Sequence, residues 1–297
     1  MHPPRGSPGD FTEFPLSAGA QLIAPSEAPP PATEPSACAA QASLRPGDPS
    51  LGGTLGDIRA RGTVVVAVDQ NTNLFSFRDP TTGTLTGFGV DLAREVARDL
   101  LGDPTRVEFR PLGTDDGAEM LARRDADMVV RPVALPVRVP RTWRSPRCIS
   151  RHPAGSWCGT GRVSPVLPTL PGDGSARTTT PRRCRRCRVS PPKATILAVP
   201  DWDDCLMAIQ QRQVDAVAGA AVLAGLVAQD PNLEIVGPET DSARYAIGLA
   251  PGHDDLVRFV NGTLERLRTD GTWTALYDRW LSSLGPAPGP PSPQYRD

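Results

Sequence analysis

Between Gly62 and Asp69 stands a short, unbroken run of mostly β-branched side chains, Thr63-Val64-Val65-Val66-Ala67-Val68. Such a run, bounded by a glycine and a polar residue, reads as a buried strand. The turn and helix next along the chain decide its setting. Asp79-Pro80-Thr81-Thr82-Gly83 is a turn, and Leu85-Thr86-Gly87-Phe88 returns the chain to the fold as a hairpin or looped return. Residues 91–101 place Leu92, Val96, Ala97, Leu100 and Leu101 at helical spacing, ended by Gly102-Asp103-Pro104. A second strand is predicted at 106–109, a helix at 118–124 and a third strand at 126–130. Strands alternating with helices imply an α/β lobe.

The same alternation resumes at Ala194. Strands are predicted at 194–199, 214–217, 233–236 and 245–249, with helices at 203–212 and 223–228 between them. The most regular pair of helices closes the ordered part. Leu256, Val260, Leu264 and Leu267 form one apolar stripe, stopped by Asp270-Gly271, and Trp273, Leu276, Tyr277, Trp280 and Leu281 form the next, with Thr272 as its expected cap. These aromatics are read as core, and Asp254-Asp255 as a favourable helix N-terminus rather than paired catalytic acids.

At 297 residues the chain is long enough for two lobes. A formal charge of -1 argues against a generally basic nucleic-acid binder, and no apolar run of about 18 residues is present to span a membrane. Proline at 34 residues and aromatics at 5% leave less core-forming material than the length suggests. Residues 1–53 and 285–297 are accordingly expected to be disordered tails. Met1 is not followed by the basic end and apolar core of a signal peptide, and Cys38 does not sit in a lipoprotein cleavage context.

Residues 134–190 break the pattern. They hold 12 Arg, eight Pro and four of the six Cys, but a single acid, Asp173. Cys184-Arg185-Arg186-Cys187 has the spacing of a zinc half-site that Cys148, His152 and Cys158 could complete, but a structural zinc site usually pairs two tight knuckles. The arginines at 182–188 lack the interleaved aromatics of a nucleic-acid surface. No metal or other cofactor is therefore expected. Neither is a catalytic triad, since only His2, His152 and His253 are available.

Several stretches resemble one family: Asp57-Ile58-Arg59-Ala60-Arg61-Gly62, Asn73-Leu74-Phe75-Ser76-Phe77-Arg78-Asp79-Pro80, Gly87-Phe88-Gly89-Val90-Asp91-Leu92, Asp201-Trp202-Asp203-Asp204-Cys205-Leu206, and residues 257–277. In order and spacing they are similar to the extracellular solute-binding proteins of polar amino acid ABC transporters, family 3. The likeness is strongest to the glutamine-binding lipoproteins of mycobacteria. It implies a two-lobe type II periplasmic-binding-protein-like fold, with lobe 1 from residues 54–133 and 238–284 and lobe 2 from 134–237. Two hinge strands would join the lobes, which close over a free amino acid in the cleft.

The resemblance implies that Asp69, Asn73, Phe75, Thr114 and Arg131 line that cleft. It implies a free polar amino acid (glutamine, glutamate, asparagine or aspartate) as ligand and a membrane permease as partner. A monomer in the extracellular space or cell envelope, not an enzyme, is implied by the same likeness. Cys205 would be half of a disulfide whose partner lies in the anomalous segment.

Two anchors of the family pattern are absent. Where the family carries a Glu-Arg clamp for the ligand carboxylate, this chain has Pro132-Val133-Ala134-Leu135-Pro136-Val137-Arg138-Val139, and where an acid should hold the ammonium it has Ala218-Gly219-Ala220-Ala221. The composition of 134–190 is that of an off-frame, GC-rich reading, which would leave the second lobe damaged. Read one base earlier, codons permitted for Thr142-Trp143-Arg144-Ser145-Pro146-Arg147-Cys148-Ile149 give Val-Ala-Phe-Ser-Thr-Val-Tyr, the Val-x-Phe-Ser-x-x-Tyr segment of the family. The sequence thus supports a binding protein, with a non-binding degenerate product or a dehydratase-like enzyme on the same fold as alternatives.

Overall fold

The computed structural model describes residues 15–23, 43–47, 53–112, 117–131, 148–154, 157–159, 174–178, 195–199, 202–214, 216–219, 223–236, 241–287 and 295. In chain order these form β1 (Gln21–Ile23), α1 (Thr54–Arg61), β2 (Val64–Val68), β3 (Asn71–Thr72), β4 (Ser76–Arg78), β5 (Leu85–Thr86), α2 (Phe88–Leu101), β6 (Val107–Pro111), α3 (Gly117–Ala122) and β7 (Met128–Val130). Then come β8 (Cys148–Ala154), β9 (Trp157–Gly159), β10 (Gly174–Thr178), β11 (Thr195–Val199), α4 (Trp202–Gln210), β12 (Ala216–Gly219), α5 (Leu223–Gln229), β13 (Ile235–Val236), β14 (Asp241–Leu249), α6 (Asp254–Thr269) and α7 (Thr272–Trp280).

One sheet has the order β6-β2-β7-β14-β8, with β6 and β7 parallel to β2 and with β14 antiparallel to both β7 and β8. The valine run sits at its centre, as the sequence predicts. Val64, Val66 and Val68 face the large cluster built by α1, α2, α6 and α7, whereas Val65 and Ala67 face Leu121, Val129 and Ala250 on the other side. All five residues of β2 are buried, because helices cover both faces of a parallel strand. The apolar stripes of α6 and α7 join this cluster with Leu256, Val260, Leu264, Leu267, Trp273 and Tyr277 all buried, each stabilising by about 25 cal/mol per Å² of apolar area removed from water.

The helix ends refine two expectations. Asp255 does more than favour its own helix start: its carboxylate accepts the Leu55 amide at 3.0 Å, capping α1 from α6. Thr272 does not cap α7 with its side chain; its amide is instead held by the Asp270 carboxylate at 2.9 Å.

A second body is built on the sheet β1-β11-β10-β12-β9-β13. Its core joins Leu197, Val199, Cys205, Ala208, Val217, Leu223 and Leu226. The segment from which periodicity vanishes supplies β8 to the first sheet and β9 and β10 to the second. The second sheet therefore takes in 157–159 and 174–178, within the stretch of anomalous composition.

Within the stretches expected to be disordered tails, short pieces are described. β1 pairs antiparallel with β11. Ser43 and Leu44 are buried against α6, where the Asn261 amide donates to Ser43 Oγ at 2.9 Å and to the Leu44 carbonyl at 2.7 Å. Tyr295 forms a bridge with Ser43, and the Arg45 guanidinium lies over its ring. Specific hydrogen bonds hold these pieces, so apolar content does not reveal them.

Candidate ligand-binding site

The site is assembled at the carboxyl ends of the parallel strands. Val68 pairs in register with Val130 and with Pro111, so the residues that follow β2, β7 and β6 emerge along one edge of the first sheet. That edge is where open α/β sheets bind ligands.

Asp69 follows β2 and Arg131 follows β7. Their side chains meet at 3.3 Å, and both residues are 7% exposed. A buried ion pair carries a desolvation penalty that its mutual attraction only partly offsets, so it is weak evidence for stability and better evidence for a site. Thr72 Oγ1 lies 3.5 Å from the Asp69 carboxylate and is itself buried.

Asn73 and Phe75 lie in the tight connection between β3 and β4. Leu74, between them, has φ 68, a left-handed conformation that an ordinary side chain seldom adopts. Its carbonyl accepts the Phe88 amide at 2.9 Å, and the Phe75 carbonyl accepts the Gly89 amide at 2.8 Å. The connection is thereby stitched to the start of α2. Gly87 makes the approach possible: with φ 127, it has the Phe75 carbonyl 2.5 Å from where a Cβ would stand. Phe75 is buried in the large cluster of the first body rather than open to a cleft, and Asn73 is half-buried. Thr114 lies outside the described residues.

Elements of the second body close against this connection. α4 packs on β3. Trp202, the first residue of α4, touches the apolar clusters of both bodies, and Gly225 of α5 lies against the backbone of Asn73. Neither Trp202 nor Gly225 is singled out as a site residue by sequence. Trp202 carries a signal in its Trp-x-x-Cys context, and Gly225 in being a glycine inside a helical pattern. Cys205 is fully buried beneath Trp202 in the second core. The side chains of Cys148, His152, Cys158, Cys184 and Cys187 lie outside the described residues, as do Ala220 and Ala221. Among the described residues, no group of three or more His, Cys, Asp or Glu is placed to hold a metal ion.

Residues 64–136 match the model of the bacterial extracellular solute-binding proteins, family 3. The ABC transporter glutamine-binding protein GlnH of Bacillus subtilis is 23% identical over 239 residues, covering 77% of this chain and 84% of GlnH. The stretch 64–136 is thus similar to this family. Among solved structures, a mutant of the arginine-binding protein ArgBP from T. maritima superposes with a TM-score of 0.65 at 23% identity, covering 77% of this chain and 99% of that one. The ancestral amino acid-binding protein AncCDT-1, a precursor of cyclohexadienyl dehydratase, gives 0.66 at 24%, with the same coverage. The chain therefore has the type II periplasmic-binding-protein fold. No helix among its described residues is long and apolar enough to cross a membrane.

Proposed function

We propose that this chain is the substrate-binding component of an ABC importer for glutamine or a related polar amino acid, which it binds between its two bodies. The observation that carries the reading is the buried Asp69–Arg131 pair at the ligand-binding edge of the sheet. An amino acid zwitterion needs a cation for its carboxylate and an acid for its ammonium. The family pattern for both anchors is absent from the sequence here, and this pair brings a cation and an acid together at the edge of the first sheet. The zwitterion would exchange the internal pair for two intermolecular ones, with its carboxylate on Arg131 and its ammonium on Asp69.

Asn73, beside the second body, stands where it can choose among side-chain amides and carboxylates. The protein acts as a monomer in the extracellular space or cell envelope and hands its ligand to a membrane permease. Titration calorimetry with glutamine, glutamate, asparagine and aspartate tests the assignment. Removing one charge, by Arg131→Met or Asp69→Asn, is expected to weaken binding by about 2–5 kcal/mol. Unchanged affinity in both variants would refute the assignment of these residues.

A further inference from the structure

The second body reaches the first at a point that tolerates no side chain. Gly225, buried within α5, has the Asn73 carbonyl oxygen 2.5 Å from the place where a Cβ would stand, with the Asn73 carbonyl carbon at 3.1 Å and its Cβ at 3.2 Å. Real side chains do not approach a carbonyl oxygen that closely, so a residue larger than glycine requires one of the two backbones to move.

The first-body backbone is the one held in place. Residues 72–76 are fixed by the bond from the Phe75 amide to the Thr72 carbonyl and by the two bonds from Phe88 and Gly89 on α2. They also include the left-handed Leu74, a conformation that persists only where its surroundings over-determine it. α5, in contrast, belongs to the second core, which meets the first through Trp202 and the α4–β3 contact. A side chain at 225 is therefore relieved by moving the second body away from the first.

We infer that Gly225 is the closure-determining residue of this protein: its missing side chain lets α5 seat on the Asn73 carbonyl and shut the cleft beside Asp69 and Arg131. Gly225 is a positioning residue that touches no ligand. Its role in affinity rests on the reading of the cleft given under Proposed function, whereas its role in closure does not. Local chemistry argues in the opposite direction, which makes the position diagnostic. Alanine is a better helix former than glycine, so α5 on its own gains from Gly225→Ala.

Hydrogen exchange measured by mass spectrometry on the full chain tests this, comparing wild type, Gly225→Ala, Gly225→Val and a control, Ala228→Val, whose added bulk lies on the exposed side of the same helix. The expected result is exchange about tenfold faster or more at residues 72–76 and at the start of α4 in both Gly225 variants. Protection of β2, α2 and α6 should be retained, and the control should match wild type. Glutamine affinity, by calorimetry, should fall by the factor by which the closed population falls, about tenfold for the alanine variant.

Wild-type exchange at 72–76 in Gly225→Ala would overturn the inference. So would faster exchange spread evenly through β11, α4 and α5, which would make the glycine a requirement of the second core instead. If the Gly225 variants open as expected while the wild type binds none of the four amino acids, closure by Gly225 stands and the ligand assignment falls.

Discussion

Asp69 and Arg131, 62 residues apart in the chain, meet at 3.3 Å because β2 and β7 are register neighbours in one parallel sheet. Each follows the last residue of its strand, and each is almost wholly withdrawn from solvent. Two opposite charges are thereby buried together at that edge.

Arg131→Ala leaves the Asp69 carboxylate buried without its cation. The expected loss is about 3–5 kcal/mol in unfolding free energy by urea titration. The double variant Asp69→Asn with Arg131→Met, which removes both charges at similar volume, should recover most of it. A single-variant loss below about 1 kcal/mol would mean that the two charges are not buried together.

Asn261, fully buried on α6, is the clamp for the upstream segment at Ser43 and Leu44. Asn261→Leu removes both donated bonds and leaves the Leu44 carbonyl without them, at an expected cost of about 1–3 kcal/mol. Limited proteolysis should then cut at 44–47 well before the body of the protein. Equal resistance in wild type and variant would contradict the clamp.

Asp127, at the opposite edge of the sheet from the site, supplies a pH signature. Burial pushes its carboxyl above the usual aspartate range, against the lowering effects of the Val65 amide and of Arg61 and His253. With the folded-state pKa raised, its contribution to stability is complete below the unfolded value near about 3.9 and is lost as pH rises through the folded value. Asp127→Asn cannot titrate. The stability of wild type relative to this variant should therefore fall as pH rises from about 3 through the folded-state value, as read by urea titration at a series of pH values. A difference that grows with pH would show the opposite shift.

The arginine-rich stretch makes its prediction at the level of DNA. Read one base earlier, the codons for residues 142–149 are expected to encode Val-Ala-Phe-Ser-Thr-Val-Tyr, with the frame restored near Pro191-Pro192-Lys193. Sequencing of the gene decides it, since codons that do not allow this reading exclude a frame shift.

Much of the first body is legible in the sequence, because its elements follow one apolar period each: the two-sided burial of β2 from its valine run, and the facing stripes of α6 and α7 from their three-and-four spacing. Asp69 and Arg131 are legible as cleft residues only through resemblance. Their pairing is not, since it depends on which strands become neighbours. Gly225 is hidden for a similar reason: its neighbour is the carbonyl of Asn73, a backbone atom that carries no residue-type signal. The anchored pieces at Ser43 and Tyr295 escape notice because single hydrogen bonds and one cation–ring contact hold them, within stretches dominated by Pro, Ala, Ser and Gly. The strands β8, β9 and β10 are similarly hidden by the Arg and Pro content around them.

The central claim, that an amino acid binds between the two bodies, is tested most directly by thermal melting of the purified chain with and without millimolar glutamine, glutamate, asparagine or aspartate. Binding to the folded state alone raises stability by about 2.7 kcal/mol at a ligand concentration one hundred times the Kd. The account predicts one cooperative transition that moves up by several degrees with at least one of the four and does not move with Arg131→Met. A transition indifferent to all four amino acids would contradict it.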